Sequence, residues 1–148
     1  MKILIDADGC PVTDITVKEG VRRGIESVIF SDTSHEFRRS DAVCITVDKG
    51  ADSADFVIAN KALTGDLVVT QDYGLASMCL AKGAYVIRQD GLLYTAENID
   101  FLLADRYEAK KAIRSGQRIK GPKKRTSADD EAYKKALCEL LDKLKACE

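Results

Sequence analysis

Residues 1–14, MKILIDADGCPVTD, decide the fold of this chain. The apolar run at 3–5 is typical of a short buried strand, because polar and turn residues follow it at once. Asp6 and Asp8 come directly after that strand, and Pro11 suits the first turn of a helix. The stretch therefore predicts a strand–loop–helix unit that carries two carboxylates at the C-terminal end of its strand.

Two interpretations of the Asp6 and Asp8 pair stay open at this point. Carboxylates this close resist joint ionisation unless a cation or strong hydrogen bonds hold them. The C-terminal edge of an open α/β sheet is where such folds bind ligands, which favours Mg²⁺ or Mn²⁺ in a phosphate-handling enzyme. Alternatively, Asp8 caps the helix and Asp6 accepts hydrogen bonds from backbone N–H groups.

Length and composition set broad limits on the function. The chain has 148 residues, 45% of them hydrophobic, and a net charge of -1, which suits one globular domain with no general attraction to nucleic acid or membranes. It contains neither a membrane-spanning run nor a signal peptide, so we expect a cytoplasmic protein. The five cysteines lack metal-finger spacing, and the single histidine, His35, excludes a His-rich zinc site.

Apolar runs alternate with helical patterns along most of the chain. After the first strand, runs at 28–30, 43–47, 67–70 and 85–87 indicate four more strands. The runs are continuous, which is typical of parallel strands that are buried on both faces. Helical patterns at 11–23, 53–63, 75–80 and 99–113 separate or follow them. We therefore predict an α/β fold, a three-layer α/β/α sandwich with a mainly parallel sheet of about five strands.

The C-terminal part of the chain has a different character. We expect one domain over 1–148, with a core at about 1–113, a basic loop at 114–127 and a C-terminal helix at 128–146. That helical extension carries a stripe of Tyr133 and four leucines, which must bury against the domain or against a second copy of the chain. A homodimer is therefore one way to cover it.

Acidic residues follow several of the predicted strands. Because the carboxyl ends of parallel strands lie along one edge of a sheet, these acids can meet in one cleft. A cluster of this kind repels itself, and divalent cations would relieve the repulsion and activate water for phosphoryl displacement. Each acid also has a simpler interpretation as a helix cap or an ordinary loop residue. The acids concerned are Asp6, Asp8, Asp48, Asp52, Asp55 and Asp72.

Several motifs together resemble the YaiI/YqxD family of uncharacterised bacterial proteins. They are DADGCPV near the N-terminus, GADSAD, GDLVVTQDYGLA, KGA and a late GPK before the last helix. The resemblance covers nearly the whole chain, and that family resembles a branch of the PIN-like nuclease fold. It implies that the acidic positions of a PIN-like cleft are Asp6, Asp8, Asp52, Asp55 and Asp72.

A mechanism follows from the PIN-like resemblance. Mg²⁺ or Mn²⁺ would lie between Asp6, Asp72 and one of Asp52 or Asp55, and would activate water against a phosphodiester, with Asp6 and Asp72 as catalytic residues. The expected substrate is RNA or single-stranded nucleic acid. A basic arm would contact its backbone, although a solvated loop explains the same run equally well. The residues of this arm are Arg118, Lys120, Lys123, Lys124 and Arg125.

The chain departs from the family pattern after the late GPK. An aromatic residue and a later Asp-Arg pair are expected there, whereas this chain has Arg125-Thr126 and Asp129-Asp130. The departure removes one positive charge that could face a phosphate.

Two other functions compete with the nuclease. The opening segment also resembles the DxDGTxxxD signature of haloacid-dehalogenase-like phosphatases, with Asp6 as nucleophile, Asp8 as general acid–base and Ser31 as a second-motif hydroxyl. Cys10 stands where that signature has threonine, and Gly65-Asp66 precede a strand instead of following one. A non-catalytic module that binds nucleic acid or protein is the third interpretation, and it predicts no stabilisation by divalent cations.

Overall fold

A computed structural model describes residues 1–32, 39–48, 53–116 and 124–147. The five predicted strands are all present, and a sixth short strand follows them. In chain order the elements are β1 Ile3–Asp6, α1 Thr13–Arg22, β2 Ser27–Asp32, β3 Val43–Val47, α2 Ser53–Lys61, β4 Leu67–Val69, α3 Tyr73–Ala81, β5 Tyr85–Ile87, β6 Leu93–Tyr94, α4 Ala96–Arg114 and α5 Ser127–Ala146.

The strands form one sheet in the order β3-β2-β1-β4-β5-β6. All neighbours are parallel except β5 and β6, which form an antiparallel hairpin. The chain first builds β2 and β3 on one side of β1 and then crosses to build β4 and β5 on the other side. The strand order therefore reverses between β1 and β4, and a sheet of this kind has its topological switch point there.

Helices cover both faces of the sheet, as the sequence predicts. On one face, Ile3, Ile5 and Val69 pack with Val17 of α1 and Leu137 of α5. We call it the α1/α5 face. On the other face, the α2/α3/α4 face, Leu4, Val68 and Val86 pack with Ile58, Leu75 and Ile99. Since alternate residues of a strand point to opposite faces, each strand supplies both cores.

Two local predictions differ from the structure. Strand β3 is predicted to be buried on both faces, but it lies at the end of the sheet, and Val43 is 46% exposed. Its β-branched residues satisfy strand preference without central burial. Pro11 is expected in the first helical turn, yet α1 begins two residues later, at Thr13.

The C-terminal helix packs on the domain through the stripe that the sequence indicates. Tyr133, Leu137 and Leu141 are buried on the α1/α5 face, and the Tyr133 hydroxyl lies 2.7 Å from Thr16 Oγ1 of α1. These three residues are thus covered within the chain. Whether the protein forms a homodimer stays a prediction.

A buried acid strengthens the contact between α1 and α5. The side chain of Glu19 is only 4% exposed, and its Oε2 lies 2.7 Å from Arg23 Nη1. Arg23 also reaches Asp142 of α5, with 2.8 Å between Nε and Oδ1. The hydrogen bond from Arg23 holds the pKa of Glu19 below its usual value, which keeps the acid ionised inside the interface.

The described helices include none that is long and apolar enough to cross a membrane. All five cysteines are free thiols.

Candidate active site

The candidate site lies at the switch point, where β1 and β4 end side by side. Asp6 is the last residue of β1, and Thr70 follows the last residue of β4. Leu4 and Val68, two positions earlier, both belong to the α2/α3/α4 core, so strand alternation places Asp6 and Thr70 on that same face. The sheet therefore brings an acid and a hydroxyl together at the edge where α/β folds bind ligands.

A hydrogen bond fixes the Asp6 carboxylate. The buried Thr70 hydroxyl donates to Asp6 Oδ2 at 2.9 Å and also accepts the backbone N–H of Asp72 at 3.0 Å. One hydroxyl thus sets the position of Asp6 and of the residue that begins α3. Sequence reasoning did not identify Thr70, because its role depends on two strands that are distant along the chain.

The ionisation of Asp6 is strongly perturbed. Burial of the carboxyl group raises its pKa from 3.8 to about 6, the hydrogen bond from Thr70 opposes the increase, and the charges of Asp8 and Asp72 add to it. Asp8 and Asp72 therefore both lie close enough to Asp6 to oppose its ionisation. An acid with a raised pKa at a ligand-binding edge is a common feature of functional sites.

Asp72 and Asp8 differ in what holds them. Asp72 is the N-cap of α3, and its Oδ1 accepts the Leu75 N–H at 3.1 Å, as the helix-cap interpretation expects. Asp8 does not cap α1, because the N-cap position is Val12 and forms no side-chain cap bond. Instead, Asp8 Oδ1 accepts the backbone N–H of Asp32, the last residue of β2, at 3.4 Å.

The alternative for Asp6 is a carboxylate held by backbone N–H groups, but the hydrogen bond described at Asp6 comes from a side-chain hydroxyl. Gly9 turns the loop after β1 with φ +70°, a conformation that favours glycine, and packs near Gln71. Small and polar side chains complete the cleft. Its lining residues are Asp6, Asp8, Cys10, Val69, Thr70, Gln71 and Gln89.

Cys10 is a thiol in this lining. Burial raises its pKa above the usual value, and a hydrogen bond with Thr13 and the charge of Arg125 partly oppose the increase. A raised pKa keeps the sulfur protonated at neutral pH, so Cys10 is not an activated nucleophile here.

Two of the other predicted acids, Asp48 and Asp55, are not among the residues that line the cleft. Asp55 lies in the first turn of α2, and its charge acts on the Cys79 thiol between α2 and α3. Asp48 follows the edge strand β3 and is exposed. Asp52 lies outside the described residues. Of the acids predicted to converge, Asp6 and Asp8 line the cleft, and Asp72 lies close enough for its charge to act on Asp6. Their role as metal ligands stays a prediction.

These carboxylates suit a hydrated Mg²⁺ site and do not suit a site closed by protein ligands alone. In the described part of the chain, no group of three or more His, Cys, Asp or Glu side chains is arranged to hold a metal ion. A closed protein cage therefore does not fit. Mg²⁺ needs only one or two carboxylates and keeps several waters, and Asp6 with Asp8 or Asp72 offers that donor set.

The basic residues near the cleft come from the start of α5 and from the turn between β5 and β6. Arg125 donates from Nη2 to the Gln89 carbonyl at 2.9 Å and pairs with Asp130, with 2.7 Å between Nε and Oδ1. Lys124 is exposed beside it. The other predicted arm residues, Arg118, Lys120 and Lys123, lie outside the described residues.

The family departure has a structural role. Asp130 holds Arg125 at the cleft, and Asp129 accepts the Thr126 N–H at 2.8 Å at the start of α5. The residues that replace the expected pattern thus begin the C-terminal helix and direct one arginine to Gln89.

The phosphatase alternative finds little support in the position of Ser31. This residue lies on β2 next to β1, but Ile29, two positions earlier, belongs to the α1/α5 core. Strand alternation then places Ser31 on the opposite face of the sheet from Asp6.

Relatives of this chain include UPF0178 proteins from several bacteria. The protein from Exiguobacterium sibiricum is 48% identical over 141 residues, which cover 95% of this chain and 96% of that protein. The one from Ruminiclostridium cellulolyticum is 48% identical over 137 residues, covering 93% of this chain and 90% of that protein.

A comparison with solved structures finds a crystal structure of Rae1 (YacP) from Bacillus subtilis. It covers 100% of both chains with a TM-score of 0.43 and 16% sequence identity. At these values the similarity does not establish a common fold, and the PIN-like assignment stays a prediction. Residues 4–143 match the family described as "Uncharacterized BCR, YaiI/YqxD family". This match covers most of the chain, so the chain belongs to the YaiI/YqxD family.

Proposed function

We propose that this protein hydrolyses phosphodiester bonds of RNA or single-stranded nucleic acid with the help of Mg²⁺ or Mn²⁺. The observation that carries the proposal is the meeting of Asp6, Asp8 and Asp72 at the switch point between β1 and β4. A buried carboxylate that two further acids repel is costly to ionise in the free protein, and a cation at Asp6 would relieve that cost.

Each side chain of the site has a proposed role. Asp6 and Asp72 are the proposed catalytic residues, and Asp6 with Asp8 or Asp72 would hold the cation. When bound, a divalent cation supplies positive charge to the phosphate and lowers the pKa of water. Thr70 keeps the Asp6 carboxylate in place, and the α3 cap bond keeps Asp72 in place.

The rim of the cleft supports a nucleic-acid substrate. Lys124 and Arg125 give positive charge beside Gln89, which lines the cleft with Asp6. Contacts between such residues and phosphates give salt-dependent binding without sequence preference.

A cleavage assay tests the proposal. Fluorescently labelled single-stranded RNA and DNA are incubated with the parent, Asp6→Asn and Asp100→Asn in Mn²⁺, in Mg²⁺ and in EDTA. Asp100 is an exposed acid of α4, and Asp100→Asn makes the same chemical change away from β1. We expect cation-dependent cleavage by the parent and Asp100→Asn and at least a hundredfold loss in Asp6→Asn, roughly the effect of losing one key catalytic interaction. Equal cleavage by all three proteins, or none by the parent, would overturn the proposal.

A further inference from the structure

Arg88 lies in the same row of side chains as Asp6 and Thr70. It follows β5, and Val86, two positions earlier, belongs to the α2/α3/α4 core, so Arg88 is on the same face as Asp6. In the sheet order, β4 separates β1 from β5. Two strand spacings therefore place the Asp6 and Arg88 backbones about 10 Å apart, with Thr70 between them.

The guanidinium of Arg88 is hydrogen-bonded to partners from which a ligand can displace it. It forms two hydrogen bonds with the Asp90 carboxylate, 2.9 Å from Nε to Oδ1 and 2.5 Å from Nη2 to Oδ2. A third, from Nη1 to the Tyr73 hydroxyl, is 3.3 Å long. The side chain of Asp90 is 50% exposed and that of Arg88 is 24% exposed, so a ligand can reach the pair from solvent. An incoming phosphate can compete for the same planar fork.

Two arginines flank the turn that lines the cleft. Arg88 begins the turn between β5 and β6 and packs towards Tyr73 of α3, whereas Arg125 of the other face donates to the carbonyl of Gln89, the next residue. Two arginines, each paired with an aspartate, thus lie at the β5 side of the acids. If a phosphate displaces the aspartate from its arginine, the site takes a polyanion with one phosphate at the acids and another at the arginine.

We infer that Arg88 binds the phosphate next to the one at Asp6, so that the site takes oligonucleotides in preference to isolated phosphodiesters. The inference rests on the proposed function and names the substrate size and the residue that selects it. The Asp6 and Arg88 backbones are about 10 Å apart and their side chains leave the same face of the sheet, so the two residues can contact neighbouring phosphates of one strand. Asp90 then acts as a stand-in for that phosphate in the free protein.

Binding without turnover tests the assignment. Fluorescence anisotropy of a labelled oligouridine is measured in EDTA from about 50 to 200 mM salt with the parent and Arg88→Gln. We expect binding to weaken roughly three- to tenfold, and the slope of log K against log salt to fall by about 0.7, the value for one phosphate contact on a single strand. Asp90→Asn frees Arg88 and should bind the oligonucleotide at least as tightly as the parent.

The chain offers a closely matched control. Arg39 and Asp41 form the same Arg-x-Asp pair, with 2.8 and 3.0 Å hydrogen bonds, and the Arg39 side chain is exposed to a similar degree, 21% against 24%. Arg39 differs in one respect, since it also donates to Asp14 of α1 at 2.8 Å. Arg39→Gln removes the same charge beside β3, at the other end of the sheet, and should leave the salt slope unchanged.

Three results would overturn the assignment. The first is that Arg88→Gln binds the oligonucleotide as the parent does. The second is that Arg39→Gln weakens binding as much as Arg88→Gln does. The third is that Asp90→Asn weakens binding, which is expected if the Arg88–Asp90 pair only supports the structure. A parent that cleaves RNA in Mn²⁺ while Arg88→Gln binds normally refutes Arg88 alone. A parent that binds through Arg88 but does not cleave refutes the proposed function alone.

Discussion

Replacing Asp6 by asparagine should make the protein more stable at neutral pH. The amide oxygen of asparagine can still accept the hydrogen bond from Thr70, so the geometry is kept while the charge is lost. What disappears is the cost of ionising a buried acid beside Asp8 and Asp72. A gain in stability on removing a charged residue is typical of positions kept for function at the expense of folding.

The size and sign of this change in the free energy of unfolding follow from the pKa of Asp6. Folding raises the pKa of Asp6 from 3.8 to about 6, chiefly through burial. Between these values the folded state binds more protons than the unfolded chain, so the free energy of unfolding of the parent falls as pH rises from about 4 to 6. Two pKa units correspond to about 3 kcal/mol, and partial exposure reduces this to about 1–3 kcal/mol. Asparagine does not titrate, so the variant escapes the loss.

Urea unfolding followed by circular dichroism in EDTA measures the effect. Asp6→Asn should match the parent at pH 4 and be more stable by about 1–3 kcal/mol at pH 8. A difference that does not grow between these pH values, or a less stable variant at pH 8, would refute the reasoning.

Asp66 is a control with the opposite sign. Burial opposes its ionisation, but hydrogen bonds from Lys2 and Leu63 outweigh burial and lower the pKa of Asp66. The Asp66 carboxylate therefore stabilises the fold above the pKa that it has in the unfolded chain. This stabilisation is lost as pH falls through the pKa of Asp66 in the folded protein. Asp66→Asn should therefore destabilise the protein at pH 8 and lose this effect in acid.

Two further predictions concern the packing of α5. Glu19→Gln should lower the free energy of unfolding by about 2–3 kcal/mol. The loss is smaller than that for a buried charge left without any partner, because Arg23 keeps a second carboxylate partner on α5. A urea midpoint within error of the parent would contradict the buried network. Gly91→Ala should cost about 1–3 kcal/mol, because φ is +92° and the new Cβ would lie 3.0 Å from that of Ala136. Gly65→Ala shares the positive φ, +89°, but has open space around it, so calorimetry should show a smaller loss; equal losses would remove the steric part of the explanation.

The strands were predictable from the sequence because their apolar runs are continuous. β6 was not predictable, since a pair of residues, Leu93 and Tyr94, carries no periodic signal and pairs only through the hairpin with β5. The edge position of β3 was equally hidden, because composition does not reveal strand order.

The site was predictable to the extent that it depends on strand ends. Asp6 ends β1 and Asp72 follows β4, and these strands are neighbours, so the charge of Asp72 acts on Asp6. Asp48 follows β3, which lies two strands away from β1, and so it does not. Thr70 and Arg88 escaped notice because their importance arises from the register between strands and not from any local motif.

The proposed hydrolysis requires, above all, that the carboxylates at the switch point bind a divalent cation. Thermal melts with and without millimolar Mn²⁺, on the parent, Asp6→Asn and Asp100→Asn, measure it. A ligand that binds only the folded state stabilises by about 1.4 kcal/mol at ten times its Kd. The account predicts a Mn²⁺-induced increase in Tm for the parent and Asp100→Asn that Asp6→Asn lacks, even though Asp6→Asn begins from a higher Tm at neutral pH. The same increase in all three proteins, or no increase in the parent, would contradict it.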